Sequence, residues 1–357
     1  MYNLFSVDIS ENALLEALKE ETFNILLRDH SRKQHAGKKG TIPDAECDRY
    51  HIIWATPDYE KLGKGFREKD MIMAPNILGK KHIIVPRSVK DAATQRLRTQ
   101  DKAEVFTPSW VCNMQNNLVD EAWFGRKDVF NTVSEDGKSW TATKEKITFP
   151  EGKTWVDYIS EPRLEITCGE APYLVSRYDT TSGDAIPIDQ RIGLFDRKMR
   201  VIHENCGDDY QTWVDATRKA LQSCYGFEWQ GDNLLLAREN MIVSAIEYYQ
   251  QHFNTNELPP LYPNSKRDPM NSFAYIISWN LWQMDGLKCV IPMSCHEEVS
   301  TDLFGGETRI ECQGCKEGGY LKHNGIPCYI RNWPKMGDHG TGKIELFTKS
   351  LPQPKNK

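Results

Sequence analysis

The chain has 357 residues and a mass of 41.1 kDa, enough for about two domains with a sizeable core. With 39% hydrophobic and 27% charged residues, it is too apolar for intrinsic disorder. The formal net charge of −5 excludes the global basic field that small DNA-binding proteins carry. Any contact with nucleic acid must therefore be local.

The start of the chain, MYNLFSVDIS, has neither the basic nor the apolar stretch of a signal peptide. No later segment approaches the roughly 18 consecutive apolar residues of a membrane span. We therefore expect a cytoplasmic protein that contacts no membrane. In a reducing compartment, its ten cysteines are expected to be thiols or metal ligands.

Residues 1–99 are predicted to form an N-terminal α+β extension. The pattern indicates a helix around Glu11 to Leu27, followed by two short apolar runs, HIIWA and KKHIIVP, that are typical of strands. Two basic runs, Arg28 to Lys39 and Arg87 to Lys102, are the local candidates for contact with phosphates. The alternative is that each run is a solvated loop.

Residues 100–288 alternate helix and strand signals, as βαβ units with a mostly parallel sheet do. The separation from Gly169 to Glu228 is longer than one crossover needs, which indicates that the stretch from Asp184 to Tyr210 is an insertion. The predicted elements are helices at Ser109 to Glu121, Tyr210 to Ser223 and Asp232 to His252, and strands at Leu164 to Thr167 and Tyr225 to Trp229.

Residues 289–357 form a Cys-rich C-terminal segment among glycines and turn-forming residues. The Cys312-x-x-Cys315 spacing lets two thiolates share one metal ion, and other soft ligands lie nearby. The sequence predicts a structural zinc site here, with unliganded thiols as the alternative. The predicted ligands are Cys295, Cys312, Cys315 and Cys328, with His296 and His323 as further candidates.

The first of three notable segments is AEVFTPSWVCNM, in which Pro108 favours the first turn of a helix. Thr107 is then a natural N-cap. An ordinary capped surface helix is the alternative.

The second segment, LEITCGEAPYLVSRYD, places Gly169 in a turn after a strand. Glycine lets the backbone approach a ligand closely, and a following helix would offer free N–H groups to an anion. The third, CYGFEWQGDNLLLAREN, predicts a strand that ends at Glu228, where a carboxylate can accept hydrogen bonds from ribose hydroxyls. The alternative for the second segment is an ordinary tight turn after a buried strand. The alternative for the third is that Glu228 is an exposed residue at the end of a strand.

In this order, the three segments resemble the opening motifs of the S-adenosylmethionine-dependent DNA adenine-N6 methyltransferases of bacterial restriction–modification systems. The resemblance covers roughly residues 96–290 and implies a doubly wound Rossmann-like core that methylates double-stranded DNA. Against the family's Asp-Pro-x-Cys-Gly-x-Gly motif, this chain begins with Glu165, lacks the proline and has Ala171 as its last residue.

By the same resemblance, an acid in IISWNLWQMDGLK would bind the adenine amino group of the cofactor, and by position that acid is Asp285. An Asp-Gly turn at the end of a helix is the alternative. The cofactor-binding residues that the resemblance implies are Phe106, Thr107, Pro108, Glu165, Cys168, Gly169, Glu228 and Asp285.

The family's Asn/Asp-Pro-Pro-aromatic tetrad, which holds the flipped target base, does not occur in the sequence. Asn332, Trp333 and Pro334 supply an acceptor, an aromatic ring and one proline after a strand-like run, so they are the predicted catalytic residues. The alternative is a catalytically inactive or split methyltransferase-like subunit of a defence complex. Its partner would then be a nuclease, a specificity subunit or a complementary methyltransferase subunit.

Overall fold

The computed structural model describes residues 6–36, 50–79, 82–102, 107–262, 268–301, 307–335 and 341–352. The chain has a mixed α/β fold with small sheets. In chain order, the helices are α1 (Glu11–Leu27), α2 (His30–Ala36), α3 (Ala74–Ile77), α4 (Ala92–Lys102), α5 (Ser109–Phe124), α6 (Trp155–Ser160), α7 (Leu194–Asn205), α8 (Tyr210–Gln222), α9 (Gly231–Phe253), α10 (Pro269–Asn280) and α11 (Gln313–Glu317). The strands are β1 (Asn131–Val133), β2 (Trp140–Ala142), β3 (Arg163–Ile166), β4 (Cys224–Glu228), β5 (Leu281–Gln283), β6 (Glu298–Thr301), β7 (Glu307–Ile310), β8 (Tyr329–Asn332) and β9 (Lys343–Leu346).

A three-stranded parallel sheet, in the order β3-β4-β5, positions the candidate cofactor residues. Helices α7 and α8 connect β3 to β4, and α9 and α10 connect β4 to β5. The carboxyl ends of all three strands therefore lie at one edge. The predicted strands are confirmed with a shift of one residue, and the predicted helices that start at Ser109, Tyr210 and Asp232 are confirmed within three residues.

The stretch predicted as an insertion, from Asp184 to Tyr210, contains α7. Helix α7 packs against α6, α8 and α9, and its apolar side chains belong to the main core. This stretch is therefore an integral part of the first crossover.

Helix α9 is buried along almost its whole length, from Gly231 to Tyr249. The chain approaches Gly231 so closely that an added Cβ would lie 2.0 Å from the carbonyl oxygen of Ile53. Only glycine fits there, and the N–H of Gly231 donates to the carbonyl of Trp54 at 3.0 Å. The helix ends where Asn254 adopts the left-handed conformation.

The N-terminal helix is confirmed as α1, with a break in helical geometry at Lys19. The prediction that the two apolar runs form strands is wrong. Residues 51–55 (HIIWA) form only isolated bridges, and residues 82–86, the described part of KKHIIVP, form no strand. The backbone of Ile53 bonds to a side chain instead: its N–H donates to Gln283 Oε1 at 2.9 Å, and its carbonyl accepts from Gln283 Nε2 at 2.8 Å. These contacts replace the pairing of a strand.

Two hydrophobic clusters join the three predicted segments. The larger runs from Ile9 to Leu281 and so includes α1, α9 and α10. The smaller covers the opposite face of β4 and β5 with residues from Phe227 to Phe347. Segments 1–99 and 289–357 therefore both pack directly on the segment between them. None of the helices in the described ranges combines the length and apolar composition of a membrane span.

Candidate cofactor edge and candidate metal centre

The turn after β3 and the end of β4 are joined by Glu228. Its Oε2 accepts the N–H of Gly169 at 2.9 Å, and its Oε1 accepts the N–H of Gln230 at 3.2 Å. The side chain is buried, and burial raises the pKa of its carboxyl above the ordinary value despite these hydrogen bonds. The alternative of an exposed strand-end Glu is therefore wrong.

The same turn has an unusual backbone. Thr167, Gly169 and Ala171 all have positive φ, at 49°, 53° and 64°. Ala171 stands where the resembled family has its second glycine, so the side chain departs from the motif while the backbone keeps a conformation that glycine favours. Cys168, between them, is buried against Gly226, and burial raises the pKa of its thiol. Cys168 is therefore a packing residue.

Glu165 points from β3 into the loop that follows the turn. Its two carboxyl oxygens accept the N–H groups of Tyr173 at 3.3 Å and Leu174 at 3.2 Å. Burial raises the pKa of Glu165 to about 8. No α-helix begins between this turn and α7 at Leu194, so the expected helix N-terminus beside Gly169 is wrong. The Glu165 carboxyl accepts hydrogen bonds from the N–H groups that were expected to bind an anion.

Segment Thr107-Pro108 lies beside this loop. The N-cap of α5 is Pro108, so the prediction that Thr107 caps the helix is wrong. Asp179 Oδ2 accepts the N–H of Ser109 at 2.7 Å instead, and the hydroxyl of Thr180 donates to the carbonyl of Thr107 at 3.2 Å. The first two motif segments are thus in direct contact. Phe106 lies outside the described residues.

Asp285 follows β5 at the same edge of the sheet. Its Oδ1 accepts the N–H groups of Leu287 at 3.1 Å and Lys288 at 3.2 Å, closing an Asp-Gly turn. The turn is next to Glu228, because the N–H of Met284 donates to the carbonyl of Glu228 at 2.9 Å. Asp285 therefore closes an Asp-Gly turn, but this turn follows strand β5 and does not end a helix, and the acid lies beside the candidate cofactor residues.

The predicted catalytic residues lie at the opposite edge. Trp333 Nε1 donates to Asn280 Oδ1 at 2.7 Å, and Lys219 Nζ donates to the carbonyl of Pro334 at 3.0 Å. Asn280 directly precedes β5 and Lys219 precedes β4, so these contacts are made at the amino ends of the strands. Asn332 belongs to a separate hairpin and donates to Glu345.

A strand of five residues spans about 16 Å, and this length separates the two edges. An acceptor held by Asn332 would be far from a methyl donor bound at Gly169 and Glu228. We therefore correct the assignment of the catalytic residues. Asn332, Trp333 and Pro334 do not form one site with the cofactor edge, which is the edge at the carboxyl ends of β3, β4 and β5 where Gly169 and Glu228 lie.

The second basic run has a structural role. Arg98 is buried and its Nη1 lies 2.7 Å from Asp232 Oδ2 at the start of α9, while Lys90 Nζ lies 3.5 Å from the same oxygen. These two cations are not available to phosphates, which corrects that expectation for them. Arg96 remains exposed. In the first run, Arg32 pairs with Asp29, and residues 37–39 lie outside the described ranges.

The C-terminal segment contains four ligand atoms that lie within 4.8 Å of one another and could hold a metal ion: Cys295 Sγ, Cys312 Sγ, Cys315 Sγ and one nitrogen of His323. Gly314 makes room for the imidazole, since an added Cβ would lie 2.6 Å from the His323 ring. Burial opposes ionisation of Cys312, but hydrogen bonds from Asn324, Cys315 and His323 lower the pKa of its thiol to about 6.

Cys328 is not part of this cluster. Its side chain is buried in the smaller hydrophobic cluster, and its Sγ donates to the carbonyl of Gln283 at 3.5 Å. Burial raises the pKa of this thiol well above its ordinary value. His296 also lies outside the cluster, with its ring exposed. His323 therefore replaces Cys328 in the predicted ligand set.

Comparison with protein-family models, with curated protein sequences and with solved structures finds no match for the chain.

Proposed function

We propose that the chain is the S-adenosylmethionine-binding, methyltransferase-related subunit of a complex that modifies adenine in DNA, as part of a restriction–modification or related defence system. The observation that carries this proposal is the meeting of the motif segments at one edge of a parallel sheet. Ligands of open α/β sheets bind outside the carboxyl ends of the strands, and Gly169, Glu228 and Asp285 all lie there.

The adenosine half of the cofactor has suitable partners. A carboxylate offers about four lone-pair sites, so Glu228 keeps acceptor capacity for ribose hydroxyls beyond its backbone hydrogen bonds. The methionine half fits less well, because Glu165 already takes the N–H groups of Tyr173 and Leu174. The bound cofactor would supply the methyl group, and this chain's residues would position its nucleoside.

This proposal predicts that Glu228→Gln weakens binding of S-adenosylmethionine by about 10- to 100-fold, or about 1.5–3 kcal/mol, because the ribose loses a charged acceptor. The single amide oxygen can still accept the hydrogen bond from Gly169, while the hydrogen bond from Gln230 to the other carboxyl oxygen is lost. Isothermal titration calorimetry of both proteins measures the difference.

The matched control is Asp215→Asn, which changes a partly exposed acid on α8 and should leave binding unchanged. Absence of binding heat from the folded wild-type protein at millimolar cofactor would refute the proposal. Equal affinity of wild type and Glu228→Gln would remove Glu228 from the site.

The methyl acceptor is proposed to be held by a partner chain. Within the described residues, β3 pairs with β4 alone, and Leu164 and Ile166 on this edge strand are 47% and 67% exposed. Doubly wound sheets continue on both sides of the strand that precedes the cofactor turn. A partner strand added beside β3 would bury these side chains and bring acceptor-binding residues to the cofactor edge.

We accordingly predict that the purified chain alone transfers no tritiated methyl groups to double-stranded DNA, and that a co-encoded methyltransferase subunit restores transfer. Ile166→Lys should weaken that complex, because it places a charge on the exposed edge. Transfer by the chain alone, abolished by Asn332→Ala or Trp333→Ala, would instead restore the Asn332 segment as the catalytic loop.

A further inference from the structure

We propose that Cys295, Cys312, Cys315 and His323 bind one zinc ion as a closed, tetrahedral structural site. The proposal concerns the C-terminal segment and is independent of the function proposed for the cofactor edge.

The distances between the ligand atoms match a zinc tetrahedron. Nδ1 of His323 lies 3.6 Å from Cys295 Sγ, 3.7 Å from Cys312 Sγ and 3.7 Å from Cys315 Sγ. With zinc bond lengths of about 2.3 Å to sulfur and 2.0–2.1 Å to nitrogen, the N-to-S edge of a regular tetrahedron is about 3.6 Å. All three observed edges agree with this value, and the four ligand atoms all lie within 4.8 Å of one another, so one ion between them could reach every ligand.

The chemical nature of the ligands favours zinc. Three thiolates and an imidazole are the soft and borderline ligands of structural zinc sites, whereas calcium and magnesium prefer oxygen ligands. Four protein ligands complete the coordination, which leaves no open position for water or substrate. The site is therefore structural, with no catalytic position.

The surroundings of the sulfur atoms also suit a bound metal. The N–H of Asn324 donates to Cys312 Sγ at 3.4 Å, and the Lys288 ammonium is close enough to Cys295 and Cys315 to interact electrostatically with both thiols. A zinc ion with three thiolates carries a net charge of −1, and Lys288 would offset it. Such outer contacts orient the ligands and stabilise the charge of the site.

The segment has little other means of holding its shape. Among the described residues from 295 to 323, the only two that are buried are Cys312 and Gly314, and the described side chains of hairpin β6–β7 are exposed. Cys295 precedes this hairpin, while Cys312, Cys315 and His323 follow it. One ion would therefore tie together both ends of the hairpin, and metal binding would supply the stability that a core supplies elsewhere.

Elemental analysis of the full chain, purified without chelators, tests the site. We expect about one zinc per chain in the wild type and a sharp loss in Cys312→Ser and in His323→Ala. The matched control is Cys328→Ser, which removes a buried cysteine outside the cluster and should retain zinc. Replacement of zinc by Co²⁺ should give the visible absorption of a tetrahedral thiolate site, which reports the ligands in folded protein.

Chelation should lower the melting temperature of the wild type and leave that of His323→Ala nearly unchanged. A wild-type protein that contains no zinc, takes up no Co²⁺ and melts at the same temperature after chelation would overturn the proposal. Retention of zinc by His323→Ala, together with its loss in Cys328→Ser, would overturn this ligand set.

Discussion

Replacing Asp232 with alanine is expected to lower the free energy of unfolding by about 3–5 kcal/mol, because it removes the acid shared by two buried cations. Burial alone would raise the pKa of this carboxyl, but Arg98 and Lys90 hold it far below the ordinary value. Tyr59 adds a hydrogen bond from its hydroxyl to Asp232 Oδ2 at 2.8 Å. The loss should appear in urea unfolding monitored by fluorescence and circular dichroism.

The matched control for this variant is Asp215→Ala on α8. Asp215 lies 3.5 Å from Arg218 and its side chain is 42% exposed, so its removal should cost no more than about 0.5 kcal/mol. If Asp232→Ala unfolded at the same urea concentration as this control, the Asp232 network would not anchor the N-terminal segment on α9.

The second large effect is a fall in the free energy of unfolding as the pH rises. Glu165 has a pKa of about 8 in the folded protein, raised by burial, against an ordinary value of 4.5 in the unfolded chain. Its contribution to stability is fully present below pH 4.5 and is lost as the pH rises through 8. By linkage, this loss amounts to about 5 kcal/mol in total.

Glu165→Gln should remove this pH dependence, because the side chain cannot ionise, although its single amide oxygen can accept only one of the two backbone hydrogen bonds. Urea unfolding of both proteins from pH 5 to pH 9 tests the prediction, and the difference isolates Glu165 from other titrating groups. Glu161→Gln is the control, since that side chain is 43% exposed and lies just before β3. Parallel curves for wild type and Glu165→Gln would contradict the expected role of burial.

The sequence predicted the βαβ part of the fold because periodic apolar residues define both helices and strands there. The same logic failed for HIIWA, whose apolar run resembles a strand although its backbone bonds to the side chain of Gln283, 230 residues away. It also failed after Gly169, where a helix was expected. Glu165 accepts the N–H groups of Tyr173 and Leu174 there, and a hydrogen bond between a side chain and the backbone leaves no mark in the periodicity of apolar residues.

Of the candidate metal ligands, too, the sequence identified some and not others. The CxxC spacing identified Cys312 and Cys315, because these two ligands are neighbours in the chain. The choice between His323 and Cys328 depended on tertiary packing, although the apolar neighbours of Cys328 in IPCYI were a signal of burial. The Asn332 segment was misassigned because chain order does not reveal which edge of the sheet a loop reaches.

The packing of α1 has a consequence for synthesis of the protein. Its buried side chains, including Leu14, Leu18 and Phe23, are covered in part by α9 and α10. About 240 residues separate the end of α1 from the start of α10, and at about 5–20 residues per second the ribosome needs roughly 12–50 s to make them. Helix α1 is therefore made well before α10 can cover it, and during this interval its apolar face is open to chaperones or to another nascent copy of the chain.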